Sequence, residues 1–153
     1  MRGRLISVNR FQQQVVIDLL ASSQGDEGFT LSLSGSCMEP IIRDGDQLEV
    51  VRCPRYYPGD LLVIANAEGK LVSHRFLGWI PGVNGARVMT RADNRHKIDP
   101  LTDAHRVLGR VVSVAGFDLS IPLSHRLFSM LRYGFYSVQL PARKLLSFTS
   151  LQG

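Results

Sequence analysis

The chain has 153 residues, 44% hydrophobic and 20% charged, a balance that suits one folded domain and excludes a disordered or low-complexity polymer. Its net charge of +5 favours anionic partners, whether lipid headgroups, acidic peptides or nucleic acid, without choosing among them. Two cysteines, Cys37 and Cys53, are too few for a disulfide framework and lie in no CxxC or Cys/His zinc spacing, so free thiols, a cytoplasmic setting and no metal or other cofactor are expected.

Between residues 9 and 21, Phe11, Val15, Val16, Leu19 and Leu20 recur at helical spacing and predict an amphipathic helix. Gln12, Gln13, Gln14 and Asp18 interrupt this run, which argues against a cleaved signal sequence. No stretch reaches the roughly 20 apolar residues of a membrane-spanning helix. Residues 22–26 read as the loop that stops the helix. Phe29, Leu31 and Leu33 then alternate with Thr30, Ser32 and Ser34, the period of a strand with one buried face. That strand leads into Gly35-Ser36-Cys37-Met38-Glu39-Pro40, a tight turn that carries a thiol, and Asp44-Gly45-Asp46 closes the segment.

Short runs rich in Val, Leu and Ile follow at residues 47–52, 60–65, 70–76, 87–90 and 107–114. Pro54, Pro58-Gly59, Glu68-Gly69, Pro81-Gly82 and Asn84-Gly85 punctuate them. Short strands with turn chemistry between them predict a mainly β fold, a coiled antiparallel sheet or barrel. Beyond Pro122 the period changes. Leu123, Leu127, Phe128, Met130, Leu131, Phe135, Tyr136 and Val138 read as helix, and residues 142–148 as a second helical piece after Pro141. Arg126, Arg132, Arg143 and Lys144 make this tail basic; it can pack on the barrel, lie in a membrane interface or dock on a partner protein. The expected organisation is one domain over residues 1–153, with an N-terminal helix in 1–25, a β catalytic core over 29–116 and a basic amphipathic helical tail over 122–153.

Cys37 and His74 supply the candidate chemistry. A thiolate is a nucleophile, but a free cysteine, with pKa about 8.5, is mostly protonated at neutral pH. A histidine in reach can take that proton and return it to a leaving amine. A carboxylate beyond the histidine, Asp93 or Asp99, would hold its tautomer. Backbone amides of the turn, including that of Met38, with the Ser34 and Ser36 hydroxyls as helpers, could bind an oxyanion. Singly, each residue has a plainer reading: a lone cysteine is a small buried hydrophobe, a lone histidine is structural, and Asp93-Asn94 is a turn. Cys53 reads as structural, and His96, His105 and His125 as solvent-facing.

In order, Gly35-Ser36-Cys37-Met38-Glu39-Pro40, Asp44-Gly45-Asp46, Pro58-Gly59-Asp60, Val72-Ser73-His74-Arg75, Arg91-Ala92-Asp93-Asn94, Asp99 and Leu108-Gly109-Arg110-Val111 resemble the signal peptidase I and LexA-like peptidase superfamily. The resemblance spans residues 31–114 and implies a coiled, mostly antiparallel sheet. In the bacterial members a lysine activates a serine; the archaeal and endoplasmic-reticulum type has histidine in place of lysine. By this resemblance Cys37 stands at the nucleophile position, His74 at the base, and Asp93 and Asp99 at the two acidic positions, while Lys70 misses the lysine position.

Cysteine in place of serine leaves three readings: a natural Cys/His peptidase, a serine enzyme altered at this position, or a relative that only binds. The family's usual N-terminal membrane anchor is missing, which points to a soluble or membrane-surface endopeptidase that cuts a leader from a peptide or preprotein. The alternatives are a catalytically inactive leader-binding module and a LexA-like self-cleaving regulator. Against the last, no helix-turn-helix precedes the β core, so a nucleic-acid partner is not expected.

Overall fold

Alternation and burial sort the chain into a curled, mostly antiparallel half-barrel sheet with one long C-terminal helix. The structure, a computed structural model, describes residues 5–6, 28–66, 68–83 and 85–149, so the helix predicted between residues 9 and 21 lies outside the described residues. The described strands are β1 (Leu5–Ile6), β2 (Phe29–Ser32), β3 (Gln47–Val51), β4 (Leu61–Ala65), β5 (Leu71–Gly82), β6 (Gly85–Arg91), β7 (Thr102–Asp103), β8 (Val107–Val114) and β9 (Phe117–Asp118). They pair in the order β1-β2-β3-β8-β4-β5-β6-β7, with β9 added to β8. β1 runs parallel to β2, and the remaining pairs are antiparallel.

β3 shows how pattern becomes packing: Leu48 and Val50 are buried, whereas Gln47 and Glu49 face water. β4 has no polar residue to turn outward and lies between β8 and β5, buried on both faces. Leu61, Val63 and Ala65 join one apolar cluster with Leu31, Leu48 and Val111; Leu62 and Ile64 join a second with Phe76 and Val88. Register shifts between Glu49 and Val50, Val63 and Ile64, and Phe76 and Gly78 add local bend and twist, which curl the sheet.

β5 outruns the predicted strand by six residues, through Pro81. The outer half of β5 has only β6 as neighbour, so a missing N–H at Pro81 can face away from the ladder. Its inner half has the converse asymmetry. Leu71 to His74 pair with β4, but β6 joins only from Arg75 onward, so among the described residues no strand pairs with the other backbone edge at residues 71–74.

The tail is one helix, α1 (Leu123–Thr149), and not the two pieces predicted around Pro141. Proline removes one N–H from the ladder there without ending the helix. α1 docks through polar and aromatic side chains. Arg126 ion-pairs at 3.0 Å with Asp60, which is 1% exposed, and the Tyr133 hydroxyl donates to the Trp79 carbonyl at 2.6 Å. Tyr133 lies flat against Gly78, where a Cβ would collide with its ring. Among the described residues no helix is long and apolar enough to cross a membrane.

Gly78→Val is expected to push Tyr133 out and destabilise the fold by about 1–3 kcal/mol. Amide exchange across residues 126–136 should accelerate in parallel. An unchanged Tm with unchanged exchange would show that the close approach at Gly78 does not hold α1.

Candidate active site

The thiol is presented by a turn whose shape is set on both sides. Gly35 has φ of 127°, a conformation that L side chains rarely adopt, and its N–H donates to Asp44 Oδ1 at 2.7 Å. Asp46 Oδ2 accepts the Arg43 N–H at 2.8 Å. Met38 and Ile42, 1% and 4% exposed, sink into the first core cluster and anchor the turn. Met38 therefore offers the site its backbone amide, while its side chain is core. Among the described residues no backbone carbonyl takes the amides of Cys37 or Met38. Ser34 and Ser36 lie exposed on the turn, Ser34 in the wall of the cleft beside Cys37.

His74 comes from the inner half of β5, 36 positions short of Arg110 on β8 in sequence but level with Leu62 of β4, and it is 9% exposed. Its Nδ1 is 2.7 Å from Asp99 Oδ2, and the Thr90 hydroxyl donates to the same oxygen at 2.9 Å. The Asp99 N–H also bonds to the Thr90 carbonyl at 2.9 Å, so the carboxylate is fixed from backbone and side chain together. The Cys37 Sγ lies 3.9 Å from the carbonyl of Ser73, the residue before His74. Burial is the largest single influence on His74 and disfavours its charge. The hydrogen bond to Asp99 is the leading opposing influence, and with Cys37 and the Asp99 charge it outweighs burial and raises the His74 pKa from 6.5 to about 9.

The two candidate aspartates separate. Asp99 bonds His74, whereas Asp93 receives a two-pronged bond from Arg75, at 2.7 Å to Nε and 2.5 Å to Nη2. The third Arg75 nitrogen donates to the Gly59 carbonyl at 2.8 Å. Asp93 thus braces the loop after β6 against β5 and the Pro58-Gly59 turn. Its neighbour Asn94 does something the sequence reading missed. Its N–H reaches the Cys37 carbonyl at 3.3 Å and its Nδ2 reaches the Ser36 carbonyl at 2.8 Å. Asn94 therefore ties the thiol turn to the loop that leads on to Asp99. Turn propensity was the only local signal at Asn94, and it says nothing about a partner 58 positions away.

Two clefts share Val72 of β5; Cys37 lines one and His74 the other. One, of about 30 Å³, is lined by Leu33, Ser34, Cys37, Met38, Leu71 and Ser73, and the other by Val72, His74, Arg95, Asp99, Glu68 and Thr102. Lys70 is turned to Glu68 at 2.6 Å. Cys53 is a free thiol whose Sγ lies 3.9 Å from the Val51 carbonyl, and His96, His105 and His125 are exposed. Among the described residues no group of three His, Cys, Asp or Glu side chains is arranged to hold a metal. Comparison with protein-family models and with curated proteins finds no match.

Because the folded state holds the His74 proton more tightly than the unfolded chain, its stabilising contribution is complete below pH 6.5 and is lost as pH rises through about 9. The contribution is about 3 kcal/mol at most. Urea unfolding across that window should show falling stability in the parent protein and a flatter profile in Asp99→Asn. Identical slopes in the two proteins would remove Asp99 as the cause.

Proposed function

We propose that this protein is an endopeptidase that cuts a leader or propeptide from a peptide substrate, with Cys37 as nucleophile, His74 as general acid and base, and Asp99 as the group that orients His74. The observation that carries this reading is that His74 takes Asp99 on one ring nitrogen while the Cys37 Sγ lies 3.9 Å from the carbonyl of Ser73, the residue before His74. The motif order that resembles signal peptidase I and LexA-like peptidases supports the same assignment, including a sheet of that type.

In this mechanism the thiol proton passes to His74, and the thiolate attacks the scissile carbonyl carbon. The carbonyl π electrons move to oxygen, where the amides of Cys37 and Met38 donate to the oxyanion. The imidazolium then protonates the leaving amine as the C–N bond breaks, which leaves an acyl thioester on Cys37. Water, deprotonated by His74, attacks that thioester; the C–S bond breaks and the acid product departs. Asp99 stabilises the imidazolium without taking a proton itself.

The substrate would lie extended between residues 33–35 and the edge of β5 at residues 71–74 that pairs with no described strand, adding a strand by main-chain hydrogen bonds. The small cleft walled by Leu33, Met38 and Leu71 suits a small apolar side chain before the scissile bond. Arg75 and Asn94 act as positioning residues, one for Asp93 and one for the thiol turn.

Incubation with leader-bearing peptides, followed by mass spectrometry, should yield cleavage products with the parent protein and none with Cys37→Ala or His74→Ala. Asp99→Asn should slow cleavage by roughly 10²-fold or more. A thiol-alkylating probe at pH 6.5 should label Cys37 faster than Cys53, and the advantage should vanish in His74→Ala. Equal, slow labelling of both cysteines would sink the catalytic reading in favour of a peptide-binding module.

A further inference from the structure

The C-terminal helix is amphipathic in an inverted sense. The face of α1 that meets the sheet carries Arg126, Ser129, Tyr133 and Tyr136, each three or four residues from the next. Ser129 is 1% exposed, so this is the buried side. The opposite face presents Leu123, Leu127, Phe128, Leu131, Phe135 and Val138 to solvent, each between 52% and 74% exposed. At 100° per residue these six fall within one broad arc that faces away from Ser129 and Tyr133. A monomeric soluble surface rarely carries so large a contiguous apolar patch without an occupant.

Charge selects the occupant. None of the 27 residues of α1 is acidic, whereas Arg126, Arg132, Arg143 and Lys144 are basic. Arg132 follows Phe128 by four positions and precedes Phe135 by three, so it borders the apolar arc. It is also close enough to Arg91 to act on it: burial, and next the Arg132 charge, lower the Arg91 pKa. A second copy of the helix would set arginine against arginine with no carboxylate on α1 to offset them. An anionic headgroup layer neutralises Arg132 at the edge of the arc while the acyl region receives the leucines and phenylalanines.

We infer that α1 is an interfacial helix that lays its outer face on an anionic lipid bilayer while its inner face stays on the sheet. The inference goes beyond the peptidase reading and does not depend on it. It does locate the site, because the Tyr136 hydroxyl donates to the His96 carbonyl at 2.9 Å, in the loop between Asn94 and Asp99. A bilayer under α1 would therefore lie beside the loop that supplies the His74 partner, and a membrane-borne leader could reach the cleft without leaving the surface.

The test is co-sedimentation of the full chain with vesicles of phosphatidylcholine alone and of phosphatidylcholine mixed with phosphatidylglycerol. Binding to the anionic vesicles is expected to exceed that to phosphatidylcholine alone and to weaken in high salt. Leu131→Asp with Phe135→Asp should reduce it about tenfold or more, and Arg132→Glu should also weaken it, with an unchanged circular dichroism melt because all three side chains face outward or border the exposed arc. Failure to sediment with anionic vesicles would overturn the inference. So would undiminished binding by the double variant, or a concentration-dependent dimer in the parent protein that the double variant abolishes. Cleavage of a soluble peptide, measured on the same variants, should be unchanged, which keeps a failed membrane result separate from a failed peptidase result.

Discussion

Burying a histidine beside a thiol works against the charged ring, and in this protein Asp99, with Cys37 beside it, reverses the balance. Asp99 receives His74 Nδ1 at 2.7 Å in a setting where both side chains are little exposed, so water does not compete strongly for either. The Thr90 bonds keep Asp99 aimed, and Thr90 is itself 1% exposed on β6. A ring with its proton held at Nδ1 turns its remaining nitrogen to the cleft. Without that fixed orientation the ring would lose its main support for the raised pKa and the alignment that the proposed proton transfer needs.

The fold supplies this arrangement through an asymmetry in β5. Its outer half pairs with β6 and delivers Thr90 and Arg91 close to Phe76 and Arg75. Its inner half pairs with β4 and leaves its other edge toward the Cys37 turn. His74 falls where these two regimes meet. A strand fully paired on both sides would have closed the cleft with main-chain hydrogen bonds, and an edge strand paired on neither would not have buried His74. The bulge between Phe76 and Gly78 lies just beyond, where it adds twist and brings Gly78 under Tyr133.

Much of this was legible in the sequence because it rests on local rules. The alternation in Phe29 to Ser34, the continuous apolar run of β4 and the glycine demand at Gly35 all follow from the residues themselves. What was not legible depends on partners distant in the chain. Asp93 and Asp99 have the same charge and similar surroundings in sequence. Arg75 and His74, adjacent on one strand, point to opposite faces and sort the two carboxylates between them. Asn94 is invisible for the same reason. The helix of residues 123–149 exposes a different gap: periodicity reveals two faces but not which one is buried. The polar face is inside because the sheet offers it Asp60, nearly sealed from water, a glycine at 78 and a free carbonyl at Trp79.

Cysteine at position 37 fits the proposed chemistry better than serine would. A histidine that keeps its proton toward pH 9 is mostly protonated at neutral pH and has no vacant nitrogen to take the proton of a serine hydroxyl. A thiol gives up its proton more readily, so thiolate and imidazolium can form before substrate arrives. The first step then needs no further base, and the imidazolium is already the acid that the leaving amine requires. The dependence is mutual, since Cys37 contributes to raising His74 alongside Asp99. Replacing the sulfur with oxygen would withdraw part of that support while burial continued to disfavour the charge. In the proposed reaction Cys37 and His74 would therefore act together, with Asp99 fixing the histidine.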